Sequence, residues 1–492
     1  MNSIKLKRNE NMTFKFKPLI AALALASFSA TSAVAAEEAK KVDYGSLSGQ
    51  VKLQHVVDAK DNGYDPNSGQ GWMLQLKYLS PKLANNLRFG ITAHSVGDIF
   101  KVADTEVVPG EKRPASGLYK PNNELFGDIH SQLSEFYLRY SDKKTFAYAG
   151  RKQFYSPLTN SAESTVPDYH TVIGGTYKIN KKFKAGLAHI NKMSLGTRAA
   201  NEYGLLGEGT GTGGVTQRTL GTSDINNIAG DNIEVMKFYD ISQIALGVNT
   251  DEDTAGLTVA NAYYRHSKNL NFELWDYYAH DIYNALYGEW TYSTKIKPLK
   301  KKLVISGQGL MQTEVGQALA QDTYFGEIDY KMLGIKAEIK DRKWGAYIAM
   351  NQSFGDSGFF NAFSGDPGFT SSQFSRNEYR EDVTAIKVEG RYTVNPKFIV
   401  KASYATYSQS RTRPYFDVFG QYVVPGVDYQ SSGITNVEAV RDADETNIKL
   451  IFKPMKKARL ILTHAIRTSE YDGVGGADLT MAHTRLIGIY NF

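Results

Sequence analysis

Connector length alternates along this chain, and that alternation limits what it can fold into. Segments such as "NLRFGITAH", "SEFYLRY", "AIKVEGRYTV", "FIVKASYAT" and "ARLILTHAIR" take turns between apolar and polar residues, the period of a strand whose two faces meet different surroundings. Very short polar connectors ("SDKK", "NKK", "SKN", "DRK", "NPK", "KPMKK") alternate with long ones rich in Gly, Asp, Asn and Ser, such as "DAKDNGYDPNSGQG" and "FGDSGFFNAFSGDPGFTSSQFSRNEYRE". Antiparallel strands in sequence order produce this pattern, with the tight turns at one rim and the loops at the other. Eight turns and nine loops give about eighteen strands, an even number that lets an antiparallel sheet close on itself. The predicted fold class is therefore all-β: a closed antiparallel transmembrane β-barrel with short periplasmic turns and long extracellular loops, the stretches 95–131 and 412–444 lying outside the cell. A soluble β-sandwich or β-helix is the competing fold.

Both ends of the chain agree with export to an outer membrane. Lys5, Lys7, Arg8, Lys15 and Lys17 precede the apolar run "PLIAALALASF" and the small-residue stretch "SATSAVAA", the order of a secretory signal. Residues 1–36 are read as a signal peptide and 37–492 as one barrel domain. The apolar run falls short of the ~20 residues that a spanning helix needs. At the other end, "MAHTRLIGIYNF" puts Leu486, Gly488, Tyr490 and Phe492 on one face, and His483, Arg485 and Asn491 on the other. A strand at the very terminus needs neighbours on both sides, which pairing with 45–56 would supply. Its terminal Phe also resembles the signal read by outer-membrane assembly machinery.

The chain has no cysteine, which excludes disulfides and thiolate metal sites. Its formal charge of +6 includes +4 from the leader, where five basic residues stand against Glu10. The remaining charge of about +2 gives no reason to expect a nucleic-acid partner.

In a lipid-embedded barrel the apolar face is outside and the polar face lines the lumen. Applied strand by strand, this rule makes Arg139, Arg151, Lys336, Lys387, Arg391, Lys401, Lys449, Arg459, Arg467 and Arg485 the substrate path. Lys52, Lys77, Arg88, Lys178, Lys184 and Lys340 join them on the same face. Fewer acidic residues fall there: Glu135, Glu273, Glu289, Glu338 and Glu389. The residues from Lys336 to Arg485 occupy consecutive strands, so they are expected to form one basic wall. Such a wall favours anions, and the Arg fork matches a carboxylate.

Four stretches resemble the OprD-like family of substrate-specific outer-membrane porins: "YAGRKQFYSPLTNSAESTVP", "LWDYYAHDIYNALYGEW", "FSGDPGFTSSQF" and "LQLKYLSPKLANNLRFG". The resemblance implies an eighteen-stranded barrel whose third loop folds inward, and a ladder of basic residues guiding carboxylate-bearing solutes. By position it makes Arg151 the ladder residue at a strand end. It makes 155–170 the constriction loop, with Tyr155, Ser156, Pro157, Glu163, Pro167 and Asp168 as its residues. Family members often carry an Arg in this loop before the Pro, where this chain reads "ESTVP" with Ser164 near that place. "FSGDPGFTSSQF" corresponds to a long extracellular loop, and 191–254 reads as an insertion.

No catalytic residue, cofactor or metal is assigned. "GEGTGTGG" contains a formal G-x-G-x-x-G but lacks the flanking strand and helix that would build a phosphate site. "DAKDNGYD" lacks the bidentate Glu of a calcium loop. The expected function is passive, selective passage of small anionic or carboxylate-bearing solutes through the outer membrane of a Gram-negative bacterium. A general diffusion porin, or an outer-membrane barrel hydrolase, is the alternative. The expected partners are the solutes, outer-membrane lipid and lipopolysaccharide, and the assembly machinery; a homotrimer stays open.

Overall fold

Polar side chains close the short connectors into turns. Asp142 Oδ1 accepts from the backbone N–H groups of Lys144 and Thr145 at 2.7 and 2.6 Å, and Asn180 Oδ1 from those of Lys182 and Phe183 at 2.8 and 2.9 Å. Ser267 Oγ accepts from Asn269 and Leu270 at 3.2 and 3.1 Å, and Asn395 Oδ1 from Lys397 at 2.9 Å. These are Asx and Ser turns, which is why these connectors begin with Asp, Asn or Ser.

The computed structural model describes residues 43–60, 67–83, 86–99, 129–160, 164–196, 236–247, 250–298, 300–320, 327–373, 382–409, 440–471 and 479–492. The leader, Glu163 and all of 100–128, 197–235 and 410–439 lie outside the described residues. The turns join strands β1 (Ser46–Lys60), β2 (Asn67–Leu79), β3 (Leu87–Asp98), β4 (His130–Ser141), β5 (Thr145–Lys152), β6 (Tyr169–Lys178) and β7 (Phe183–Ser194). A two-residue strand β8 (Tyr239–Asp240) and a short helix α1 (Ile241–Leu246) follow. The chain continues through β9 (Leu257–Arg265), β10 (Leu270–Ala279), β11 (Tyr283–Ile296), β12 (Lys301–Glu314), β13 (Asp329–Lys340) and β14 (Trp344–Gly355). It ends with β15 (Val383–Asn395), β16 (Phe398–Gln409), β17 (Val440–Met455), β18 (Ala458–Tyr471) and β19 (Leu479–Asn491).

Every neighbouring pair is antiparallel, and β1 closes the sheet by pairing with both β2 and β19, with Gln50 opposite Asn491 and Lys60 opposite Met481. β8 pairs only with β7 and lies outside the ring, since β7 also pairs with β9. The barrel thus has eighteen strands, and closure leaves no edge unpaired.

Large apolar side chains cover the outer face, among them Ile173, Leu187, Leu333, Ile335, Ile348 and Val388. Tyr264, Phe272, Tyr292, Trp344, Tyr392, Phe452 and Tyr490 form an exposed aromatic belt beside the short turns. An apolar band edged with aromatics suits lipid rather than water. Among the described residues no helix is long and apolar enough to cross a membrane.

The inner face is not uniformly polar. Tyr277, Tyr283, Tyr287 and Tyr330 point inward and are almost fully buried, in one apolar cluster with Phe359, Phe360 and Phe363. Part of the lumen is therefore packed like a protein core.

Candidate functional site

β5 is only eight residues long, and its ladder with β4 stops at Phe136 opposite Arg151. Beyond Lys152 the chain leaves the wall and crosses the lumen. The N–H of Leu158 donates to the hydroxyl of Tyr277 on β10 at 3.3 Å. Farther along, Lys52 Nζ on β1 donates to the carbonyls of Ser164 and Thr165 at 3.0 and 2.6 Å, and Thr165 Oγ1 bonds Gln54 Oε1. One loop is thus held to two separate walls.

Three further hydrogen bonds and an ion pair fix where the loop leaves and returns. Gln153 N–H donates to the buried carboxylate of Glu135 at 3.3 Å, and Lys77 Nζ pairs with that carboxylate at 3.2 Å. The N–H of Phe154 donates to His170 Nδ1 at 3.2 Å. Asp168, itself buried, accepts from the N–H of Gly196 at 2.5 Å. Of the residues expected to constrict the pore, Ser156, Pro157 and Pro167 are half-buried, Asp168 is buried and Tyr155 is exposed. Ser156 bonds Thr159 between hydroxyls at 2.7 Å. Tyr155 donates its hydroxyl to Gln153 Oε1 at 2.7 Å.

A second loop, the long loop between β14 and β15 that carries "FSGDPGFTSSQF", also folds into the lumen. Residues 356–373 run down from β14, and Gln312 of β12 holds Phe360 by both backbone groups, at 3.0 Å to its carbonyl and 2.8 Å from its N–H. Phe360 packs edge-on against Tyr283 with ring centroids 5.8 Å apart, and Phe359 packs on Tyr330 at 5.5 Å. The returning limb is tied to β14, β15 and β17. Asn351 Oδ1 accepts from the N–H and hydroxyl of Thr370, both at 3.0 Å. Lys387 Nζ donates to the Ser371 carbonyl at 2.6 Å, and Glu445 accepts from the N–H of Gln373 at 2.6 Å. The run "FFNAF" is the signal in the sequence, because three phenylalanines in a solvated loop would each cost about 1.5–3 kcal/mol of lost burial.

A cavity of about 270 Å³ lies between this second loop and the wall, lined by Asp366, Ser371, Lys387, Glu389, Lys401 and Lys449 among others. The wall there is arranged in cross-strand rows. Arg391 stands opposite Lys401, Lys401 opposite Lys449, Lys449 opposite Thr463, and Thr463 opposite Arg485. The next row toward the outer rim runs Glu389, Ser403, Asn447, Ala465, His483, and the one above it Lys387, Ala405, Glu445, Arg467. Acidic groups are thus set between basic ones. Lys401 pairs with Glu389 at 3.2 Å and Lys340 with Glu338 at 2.8 Å, and Tyr347 donates to Glu389 at 3.3 Å.

Seven of the expected path residues share this stretch of wall. Lys336 packs its ammonium over Phe369 of the second loop, 4.1 Å from the ring centroid. Lys387, Arg467 and Arg485 are buried, Lys401 and Lys449 half-buried, and Arg391 exposed. Arg459 is exposed at the turn end of β18, one register step from the closure. Arg139 faces inward on another part of the barrel, opposite Arg88 and Tyr148.

Arg151 is the exception. It stands opposite Phe136 and Thr171, and Phe136 is 58% exposed on the outer face. The apolar-out rule misassigned β5 because Tyr148 points into the partly aromatic lumen, leaving Arg151 to the other face. Lys152 faces inward instead, its ammonium 5.5 Å from the ring centroids of both Tyr137 and Tyr148.

Across the lumen, Glu273 on β10 stands opposite Glu289 on β11, where Tyr287 donates to Glu289 at 2.9 Å. This carboxylate pair lies on strands other than those of the row from Arg391 to Arg485.

By sequence, neither a protein-family model nor a curated protein matches the chain. Solved structures do match its fold. OpdK of Pseudomonas aeruginosa, solved with vanillate, superposes with a TM-score of 0.62 at 12% identity, covering 91% of this chain and 98% of that one. OpdL of the same organism gives 0.59 at 13%, with 92% and 99% covered, and OccAB4 of Acinetobacter baumannii 0.60 at 12%, with 91% and 98% covered. The agreement spans nearly the whole of each chain, and the architecture of this protein is that of the OprD-like outer-membrane channels.

Proposed function

We propose that this protein is an outer-membrane channel for passive, selective uptake of small solutes, and that the solutes it favours carry a carboxylate. The observation that carries this reading is the row Arg391, Lys401, Lys449, Thr463, Arg485, which runs over five adjacent strands and borders the cavity beneath the second loop. Strands stand about 4.8 Å apart, so a carboxylate leaving one cation meets the next within roughly one side-chain length. Successive weak sites permit entry and release without one deep trap. Glu389 moderates the row by pairing with Lys401. Low-dielectric walls focus the remaining field into the narrow lumen. A channel of the same fold was solved with vanillate, a small aromatic carboxylate, in keeping with this class of solute.

Reversal potentials in a planar bilayer under a salt gradient test the reading. The wild type should prefer anions, and the Lys401→Gln, Lys449→Gln double variant should lose much of that preference. The loss should shrink at high salt, where the Debye length falls to about 3 Å at 1 M. A wild-type channel that prefers cations would overturn it. Equal uptake of a carboxylate and a neutral solute of the same size would instead identify a general diffusion porin.

A further inference from the structure

The outer face of the barrel carries a group of polar and charged side chains that the channel does not use. Arg151, Thr171 and Lys192 lie in one cross-strand row on β5, β6 and β7. Each of the two strands that carry a cation ends within two residues of it, so the row sits at the loop-side rim. Arg151 is exposed, and its guanidinium carbon lies 4.4 Å from the ring centroid of Phe238. Among the described residues no carboxylate pairs with it. Lys192 is half-exposed and pairs with Asp240 at 3.0 Å.

Beside this row, Thr258 shares its hydroxyl between two histidines, 3.0 Å from His189 Nδ1 and 3.0 Å from His280 Nε2. His189 shares a strand face with Leu187, which is 60% exposed on the outer face. The remaining ring nitrogens, His189 Nε2 and His280 Nδ1, bond no described residue. Below the row, toward the membrane, stand the exposed apolar side chains of Ile173 and Leu187.

An unpaired guanidinium on the lipid face is tolerated only near an interface, and there it calls for an anion. We infer that Arg151, Lys192, His189 and His280 bind the phosphate groups of the phosphorylated glycolipid of the outer leaflet, whose acyl chains lie on Ile173 and Leu187. Arg151 and Lys192 are two strand spacings apart, roughly 10 Å between Cα atoms, so their long side chains can converge on one phosphate or hold two. The Arg fork takes phosphate oxygens in pairs, and the ammonium adds a point charge. Phe238 shields one side of the guanidinium from water, which strengthens its attraction for an anion on the other.

The test is native mass spectrometry of the full mature chain in detergent, titrated with bisphosphorylated lipid A, its dephosphorylated form, or inorganic phosphate. Single-channel conductance and circular dichroism serve as folding controls. The wild type should hold the phosphorylated lipid about tenfold more tightly than the dephosphorylated one, a difference expected of charge-assisted bonds. Arg151→Gln, Lys192→Gln should abolish that preference at unchanged conductance, because both side chains point away from the lumen. Arg151→Lys, which keeps the charge and loses the fork, should fall between and guards against a misfolded double variant. Equal retention of both lipids by the wild type would overturn the inference, as would an unaltered preference in the double variant. Displacement of the lipid by inorganic phosphate at equal concentration would also overturn it, since a free anion would then be the ligand.

Discussion

Gly365 lies directly against Leu158, so the two loops that enter the lumen touch backbone to backbone. A Cβ on Gly365 would stand 2.5 Å from the carbonyl oxygen of Pro157 and collide with the Cα of Leu158. Residues far apart in sequence thus form a single joint across the channel.

Gly365→Ala should push that joint apart. At these distances something must shift, at a cost of about 1–3 kcal/mol, and the loops are the parts free to yield. Single-channel conductance should rise or become noisy, while the strand signal in circular dichroism stays the same. Unchanged conductance would place the narrowest point elsewhere.

Glu389→Gln should act opposite to the loss of Lys401. Its carboxylate holds Lys401 at 3.2 Å and accepts from Tyr347 at 3.3 Å, so neutralising it releases positive charge toward the cavity. Anion preference in reversal potentials should increase, most clearly at low salt. If the wall charges only fill a polar interior, this variant will lower stability and leave selectivity alone.

Asp142 supplies a pH dependence outside the membrane. The N–H groups of Thr145 and then Lys144 hold its carboxyl below the usual range. A group whose folded value lies below its unfolded one stabilises the fold above the unfolded value, near pH 4, and ceases to do so as pH falls through the folded value. Wild type should therefore unfold in urea at a higher concentration than Asp142→Ala at pH 7. The gap should close as the pH is lowered into the acid range.

Strand positions and closure were legible because alternation is a local property, and the turns because Asp, Asn and Ser bond backbone within three residues of themselves. The inward course of 155–170 came from the resemblance. The second loop was not legible from pattern alone: Gln312, Asn351, Lys387 and Glu445 hold it from four strands, and such pairings leave no periodic trace. Its apolar "FFNAF" run was the available clue. Arg151 was misassigned for a related reason. A rule that sends aromatics outward fails wherever the lumen is itself packed with Tyr277, Tyr283 and Tyr330, and an error of one residue reverses the face of every side chain in a strand.

The packed joint also has a history within each molecule. Phe359 and Phe360 find their partners on β13 and β11, and Gly365 finds its own on the loop after β5, so none of these contacts can form until distant strands have been brought together. The long-range loop contacts thus add loop-closure entropy that the local strand turns do not carry, and the joint is the part of the fold with the greatest dependence on strands being in place first.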